Sequence, residues 1–476
     1  MATYSTPGVY IQEIATLPAS VAQVNTAIPA FIGLTEDSTN KEPTRISSMA
    51  EFVEAFGGAP ESVFTINIDG SGGTDEIDAA VSPVNPNPTK GLYYHMLMYF
   101  SNGGGPCYIV SVGTTSTVIT QALVTTGLAK LKLEDEPTLI VVPEAVFSAT
   151  AGALHGIAKE CLSQCNALQD RFTIMDLHNN TSDHPADALA FRGGVGTQYL
   201  KYGAAYYPHL RTSLTYHDSS VFITYTTGID AEITFAIGAG RTLDRIISLA
   251  NDTTAGDFAT VGEPLTKFLS EQLGSIRDKV AEQSITVGPS ASMAGIYASV
   301  DRDRGVWKAP ANVSMNSVSE PTFKLNSADQ EDFNVSPTGK SINVIRSFTG
   351  KGNIVWGART LAGNDNEWRY VPVRRLFITA EESIKKATEF VVFEPNDKNT
   401  WERVRAMISN YLTVLWRQGA LAGAKPEDAF FVNVGLGETM SADDILNGKL
   451  IVEIGMAAVR PAEFIILNFS HKLQES

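Results

Sequence analysis

The sequence predicts a multidomain protein of mixed α/β and α+β class, and three observations carry that expectation. Short, wholly apolar runs bounded by prolines, of which PTLIVVPEA is the clearest, have the texture of parallel strands buried on both faces. A run with Leu154, Ile157, Ala158 and Leu168 at helical spacing follows, and then RFTIMDL, which gives the strand–helix–strand order of a βαβ unit. From about residue 214 to 284 the texture turns polar and Thr-rich, as in an insertion. Beyond about 319, strands and long helices mix without βαβ alternation.

Each element follows from local chemistry. Residues 1–25 form an extended arm, in which Val9 and Ile11 alternate with Tyr10 and Gln12 between Pro7-Gly8 and Pro18. AFIGLTED is the first buried strand, and SSMAEFVEAFGG is a short helix stopped by Gly57-Gly58. The Gly/Pro/Asp-rich stretch 69–90 is a surface loop, and GLYYHMLMYFSNGGGPCYIVSV is a helix, a glycine turn and a strand. Inside the insertion, SSVFITYTTG and AEITFAIG are strands, followed by a charged helix near FLSEQLGSIRDKVAEQ. The α/β pattern resumes through ITVGPSASMAGIYASVDRDRGVWKAPAN. Then come INVIRSFTGKGNIVWGARTL, a strand in EWRYVPVRRLFI, and a helix in EESIKKATEFVVF. A longer helix over 400–423 carries Trp401, Val404, Ile408, Tyr411, Leu412 and Leu415 on one face, with Gly419 and Gly423 as end signals. The chain closes on a strand, Phe464, Ile465, Ile466, Leu467 and Phe469, introduced by Pro461 and lacking a hairpin partner. The resulting division is 1–25 arm, 26–213 α/β domain, 214–284 insertion, 285–318 closing part of the α/β domain, 319–460 C-terminal domain and 461–476 arm.

Composition narrows the function. The chain has 476 residues, 43% hydrophobic and 18% charged, as in a soluble globular protein with a large core. No window approaches 18 uninterrupted apolar residues, so no membrane insertion is expected. MATYSTPGVYIQEI lacks the basic and apolar regions of a secretory signal, so synthesis and retention in the cytoplasm are expected. A net charge of -16 argues against nucleic acid as a partner. The charge is uneven: residues 340–425 hold 14 Lys+Arg against 8 Asp+Glu, and the remainder holds 22 against 44. Such a basic segment is either a solvated surface or a face for an acidic partner.

Catalytic constellations are incomplete. Cys161, Cys165 and His155 could be metal ligands, or the two thiols could lie on a buried helical face; a fourth ligand is missing. Gly339-Lys340-Ser341 ends like a phosphate-binding loop, but Asn334 stands where that loop needs glycine and Pro337 interrupts it. SASMAGI keeps the Ser292-Met293-Ala294 of a subtilisin-type nucleophile, with Asp176 at a strand end. None of His178, His184 or His209 has the context of the base, and His155-Gly156 precedes Asp176 in the wrong order. No catalytic, metal or cofactor site is expected.

Several stretches together carry a family resemblance. AGIYASVDRDRGVWKAPAN, INVIRSFTGKGNIVWGARTL, EWRYVPVRRLFITAEESIKKATEFVVFEPND, LWRQGALAGAKPEDAFFVNVG and GKLIVEIGMAAVRPAEFIILNFSH occur in the order found in contractile tail sheath proteins of phages, R-type bacteriocins and contractile injection systems. TPGVYIQEI, AFIGLTE and YFSNGGGPCYIVSV agree as well, whereas 69–90 and 214–284 carry no family motif. The resemblance implies a subtilisin-like middle domain without a catalytic centre, an inserted β-rich domain, and an inner C-terminal domain with strand arms at both termini. It also implies a helical homopolymer around an inner tube, with baseplate, terminator or cap proteins and a paralogous sheath protein as further partners. Such a particle is assembled in the bacterial cytoplasm and is extracellular after release. Val9, Tyr10, Ile11, Phe464, Ile465, Ile466, Leu467 and Phe469 would then pair with neighbouring copies; pairing within the chain is the alternative. The basic segment points Arg403, Arg405, Arg417 and Lys425 toward the tube, the alternative being internal pairs with Glu402, Glu394 or Asp397. A static lattice protein and a peptidase-fold enzyme are the competing function classes.

Overall fold

A computed structural model of the chain describes residues 21–39, 42–60, 62–69, 76–77, 82–83, 91–178, 181–216, 219–225, 278 and 283–464. Val9, Tyr10, Ile11, Ile465, Ile466, Leu467, Phe469 and most of the expected insertion lie outside the described residues; Phe464 is described, exposed and outside any strand. The chain divides into a larger unit, Asn25–Arg375, and a smaller one made of Met1–Val24 and Leu376–Ser476.

The larger unit begins with β1 (Pro29–Thr35), β2 (Thr44–Ile46), α1 (Met49–Phe56), β3 (Ser62–Asp69), β4 (Glu76–Ile77) and β5 (Ser82–Pro83). It continues with α2 (Leu92–Ser101), β6 (Cys107–Thr114), α3 (Gln121–Leu131), β7 (Leu139–Val141), α4 (Ala151–Leu168), β8 (Phe172–Asp176) and α5 (His184–Gly194). Then come β9 (Gly203–Tyr207), β10 (Leu210–Thr212), β11 (Ser219–Tyr225), β12 (Thr286–Val287), α6 (Ser290–Arg304), β13 (Val313–Ser314), β14 (Val318–Pro321), α7 (Ser327–Asn334), β15 (Ile342–Phe348) and β16 (Gly352–Val355). The helix α8 (Val371–Thr388) contains the division between the units, and α9 (Lys398–Arg417), β17 (Phe430–Asn433), α10 (Ala442–Leu446) and β18 (Glu453–Met456) complete the smaller unit.

A nine-stranded sheet runs β13-β16-β15-β9-β8-β7-β1-β6-β2. Its six central strands, β15 to β6, are parallel, and β2, β16 and β13 are antiparallel edges. Every residue of β1, β7, β8 and β9 is buried, as a sheet covered on both faces requires. Two glycines show how close the covers sit. A Cβ on Gly33 would meet Leu92 of α2, whereas a Cβ on Gly127 of α3 would meet Ile32. Residues 32 and 33 point to opposite faces, so α2 and α3 cover opposite sides. On the α2 side, a Cβ on Gly295 would lie 2.4 Å from the Tyr99 carbonyl, so this glycine lets α6 cross α2 closely.

Three expectations change. β15 was expected in the C-terminal domain, yet Ile342, Val344 and Ile345 are buried where β15 extends the parallel ladder beside β9. The 318/319 boundary therefore falls inside the larger unit. EWRYVPVRRLFI is not a strand: its second half opens α8, which runs on through EESIKKAT. Residues 371–376 are all buried, so they show no 3.6-residue alternation, and the β-branched residues mimic a strand; Pro372 in the first turn is the helix signal. Finally, the expected loop 69–90 contributes β4 and β5, which pair with β3, and β11 of the expected insertion pairs with β3 in parallel.

A buried ion pair pins the end of the larger unit. Arg375 meets Asp301 at 2.9 and 2.5 Å, both side chains being 3% exposed, and donates a third bond to the Thr26 carbonyl at 2.8 Å. The guanidinium lies 4.6 Å from the Tyr297 ring centroid, and the Tyr297 hydroxyl bonds that of Tyr206 at 2.7 Å. Asp301→Ala strands a buried cation, and a loss of about 3–5 kcal/mol in urea unfolding is expected. The double replacement Asp301→Leu, Arg375→Met should recover much of it; a single variant within about 1 kcal/mol of wild type would contradict this role.

Candidate functional site

The larger unit places its chemically active side chains at the carboxyl edge of the parallel sheet, where open α/β sheets bind ligands. Chain connections diverge there between β1 and β7, and the crevice is filled from within. Glu144, just after β7, is 1% exposed; its carboxylate accepts from the Leu34 N–H at 2.5 Å and from the Gly91 N–H that opens α2. A Cβ on Gly33 would collide with the same carboxylate. The protein's own anion thus occupies the position a bound phosphate takes at a helix N-terminus.

The remnants of a peptidase centre are likewise consumed by structure. Asp176 does end a strand, but it accepts the Ser290 N–H at 2.7 Å and the Ser290 hydroxyl at 2.5 Å, at the start of α6. Gly288 permits this approach, since a Cβ there would lie 2.3 Å from Asp176 Oδ2. Burial pushes the Asp176 carboxyl up to about 7. Ser292 is fully buried, and its hydroxyl has no hydrogen-bond partner among the described residues, so no base activates it. His178 bonds the Ser148 carbonyl, His184 the Tyr207 hydroxyl and His209 the Leu177 carbonyl.

The other motifs are equally committed. Lys340 donates its ammonium to the Arg192 carbonyl, and Ser341 bonds the Asn334 carbonyl at 2.7 Å. No cradle for phosphate remains. Cys161 and Cys165 are buried on α4, where burial pushes the first thiol up to about 12 and the second well above its ordinary value. Thiols so protonated are poor metal ligands. Sequence reasoning passed over Glu144 and Gly288-Pro289-Ser290; the only trace of the former is a charged residue directly after an apolar proline-bounded strand.

The smaller unit is less complete. β17 and β18 form a two-stranded antiparallel sheet, and neither outer edge is paired among the described residues. Leu450, Val452, Ile454 and Met456, alternate residues of one extended stretch, all line a groove of 890 Å³. Ile384 of α8 and Val404 and Ile408 of α9 line its other side. An apolar trough beside a strand edge that is unpaired among the described residues has the geometry that suits an extended chain.

Comparison with known proteins agrees with this geometry. Residues 363–472 match the phage tail sheath C-terminal domain family. The chain superposes on the PVC sheath complex of an extracellular contractile injection system, in its contracted state, with a TM-score of 0.65 and 33% identity over 99% of both chains. This protein belongs to the contractile tail sheath family.

The contracted helical sheath of the anti-feeding prophage gives a TM-score of 0.63 and 31% identity over 99% of this chain and 100% of that one. A tail sheath protein of Vibrio phage KVP40 is 24% identical over 196 residues, which are 40% of this chain and 27% of that protein. A prophage major tail sheath protein of Pseudomonas aeruginosa is 23% identical over 174 residues, 37% of this chain and 43% of that protein. The match thus spans less than half of these curated relatives. The sheath family is one of structural proteins and not of enzymes, in keeping with the plugged crevice. No helix among the described residues is long and apolar enough to cross a membrane.

The basic segment of this sheath protein is divided between the two units. Its 340–375 half lies in the larger unit, where Lys340, Arg359, Arg374 and Arg375 are buried. On α9, Arg405 is bound by Glu438 at 2.8 Å, Glu402 at 3.2 Å and the Val434 carbonyl at 2.6 Å. Arg403 lies 5.3 Å over the Phe390 ring. Arg417 and Lys425 are exposed and form no ion pair among the described residues. The face buried by α9 is Val404, Met407, Ile408, Tyr411, Leu412 and Leu415, and Trp401 is only half-buried.

Two buried groups give the larger unit opposed pH dependences. His95 is fully buried with both ring nitrogens unpartnered; burial, with His209 nearby, holds its pKa down at about 3 against an ordinary 6.5. Between these values the unfolded chain binds a proton that the folded chain refuses, so His95 lowers stability as pH falls. Asp176 keeps its proton when folded between 3.8 and about 7, so it lowers stability as pH rises. In the shared window each slope is about 1.4 kcal/mol per pH unit, and the two offset each other. Relative to wild type, His95→Leu should lose stability as pH rises from about 4.5 to 6, and Asp176→Asn should gain it. Parallel urea-derived curves for all three proteins would contradict both assignments.

Proposed function

We propose that this chain is the structural subunit of a contractile sheath that polymerises helically around an inner tube and contracts to drive the tube through a target envelope. The observation that carries the reading is the half-covered smaller unit, with an open strand edge and an apolar groove in a protein similar over its whole length to contracted sheath subunits. An unpaired strand edge is an aggregation hazard unless a partner chain takes it. The arms supply that partner: Val9, Tyr10 and Ile11 at one end, and Phe464, Ile465, Ile466, Leu467 and Phe469 at the other, add strands to the smaller unit of neighbouring copies. A head-to-tail contact that does not close gives a tube of indefinite length. No nucleotide enters the scheme; a metastable extended lattice, held by a kinetic barrier until the baseplate releases it, supplies the work.

The finer architecture follows the same reading. The larger unit is a subtilisin-like domain without a catalytic centre, and residues 214–284 form a β-rich outer domain together with Ser62–Asp69, which β11 pairs. Arg417 and Lys425 are the strongest candidates for gripping an acidic tube surface, because no ion pair among the described residues neutralises them. Arg403 and Arg405 take a secondary part, since Phe390, Glu402 and Glu438 already hold them. Terminator, cap and paralogous sheath proteins are the remaining partners.

Two tests separate these parts. Deleting residues 461–476, or the first 15, should leave a folded protein with an unchanged thermal midpoint that forms no cylinders by negative stain. Cylinders of normal length from either truncation would remove strand exchange from the account. Reversing Arg417 and Lys425 to Glu should weaken assembly on tubes several-fold at low salt and leave tube-free cylinders intact. Because such long-range attraction is screened within about 10 Å at 0.1 M salt, raising the salt should shrink the difference. An equal loss of tube-free cylinders would place these residues in a sheath–sheath contact.

A further inference from the structure

We propose that Phe393 is an anchor built for a second copy of this chain, closing over the segment that the copy lays in the groove of the smaller unit. The evidence is a residue that the isolated protomer disfavours twice. Val391 to Glu394 form a turn: the Glu394 N–H donates to the Val391 carbonyl at 3.0 Å, Val392 has φ -62 and ψ 124, and Phe393 has φ 71. These are type II values, and the third position of a type II turn is the place for glycine, because a Cβ strains at positive φ. Phenylalanine there is already unfavourable. Its side chain is also fully exposed, with Val392 at 62% and Phe390 at 40% beside it in sequence. A bulky ring is thus held in a strained conformation and aimed at water, and nothing among the described residues of its own chain offsets either penalty. Strain of this kind persists where the surroundings in the working state impose it.

Its position says what those surroundings are. Val391, Val392 and Phe393 line the same groove as Leu450, Ile454 and Met456. A phenyl group buries roughly 150–250 Å² when covered, enough to make one residue a dominant contact. The occupant assigned is a second copy, because the superposing relatives are sheath subunits within sheath assemblies, where copies of one chain pack on one another. The proposal rests on the sheath reading and adds to it a contact outside the exchanged strands.

The test uses full-length protein. Phe393→Gly removes the strain and no buried area, so the thermal midpoint of the dilute protomer should stay unchanged or rise. The concentration at which cylinders appear, followed by sedimentation velocity and negative stain, should increase about ten-fold or more. Leu133→Ser, at a leucine of the larger unit that is 84% exposed, serves as the control and should change neither. Phe393→Cys gives a second readout, because the three native thiols are buried. The new thiol should react quickly with maleimide in protomers and slowly in cylinders formed without tube protein. Unchanged assembly of Phe393→Gly, or equal reactivity in both states, overturns the proposal while leaving the sheath reading standing. Protection that appears only when tube protein is added assigns the anchor to the tube and overturns the second-copy assignment. A wild-type chain that never self-associates overturns both.

Discussion

A parallel sheet six strands wide can exist only if both faces are covered, and that requirement organises the larger unit. Parallel strands need crossovers, the crossovers become the covering helices, and the helices must approach closely enough to exclude water. Gly33, Gly127 and Gly295 are small because the covers leave no room for a side chain. The same requirement disposes of the polar groups that elsewhere would be chemistry. Glu144 satisfies two amides at the divergence of β1 and β7, Asp176 satisfies the start of α6, and Lys340 satisfies a carbonyl at the end of α5. A fold that often hosts an active site here spends its functional groups on its own closure. Fold and function part company, as they commonly do.

The smaller unit reverses that economy. Its two-stranded sheet is too small to cover the groove beside it, and isolated hairpins are marginal in water. On the proposed reading, completion comes from another chain. Alternation at Leu450, Val452, Ile454 and Met456 supplies an apolar floor, α8 and α9 supply a wall, and a strained aromatic residue lines the same groove.

Much of the fold was legible because its signals are local. β1, β7 and β8 are apolar runs with clear punctuation, and α1 and α4 carry the N-cap residues Ser48 and Thr150. The failures have one cause in common, which is that burial on all sides erases periodicity. The start of α8 has six consecutive buried residues, so Val371, Val373 and Ile378 read as a strand when they are a core helix. A charge count is blind for a related reason: a window along the sequence cannot tell Arg375, sealed against Asp301, from Arg417 in solvent. The sheath family was legible from the order of several long stretches, whereas the groove was not. It is made by residues 377–408 and 448–456, which meet only in three dimensions.

Arg375 has a mechanical meaning beyond its contribution to stability. The chain passes between its two units twice, after Val24 and after Arg375. On the larger unit's side, Arg375 is itself one of these crossings, and through the Thr26 carbonyl it holds the other. On the smaller unit's side, the Val24 N–H is held by the Ser383 hydroxyl at 3.1 Å. The Thr26 carbonyl also accepts from the Thr138 hydroxyl at 3.0 Å, so the N-terminal crossing is tied both to Arg375 and to the chain just before β7. Both crossings thus share the Asp301 pair as one of their ties to the larger unit. Through that one side chain the larger unit's end of each connection is linked to the other, so a displacement of α8 at Arg375 is felt at Thr26.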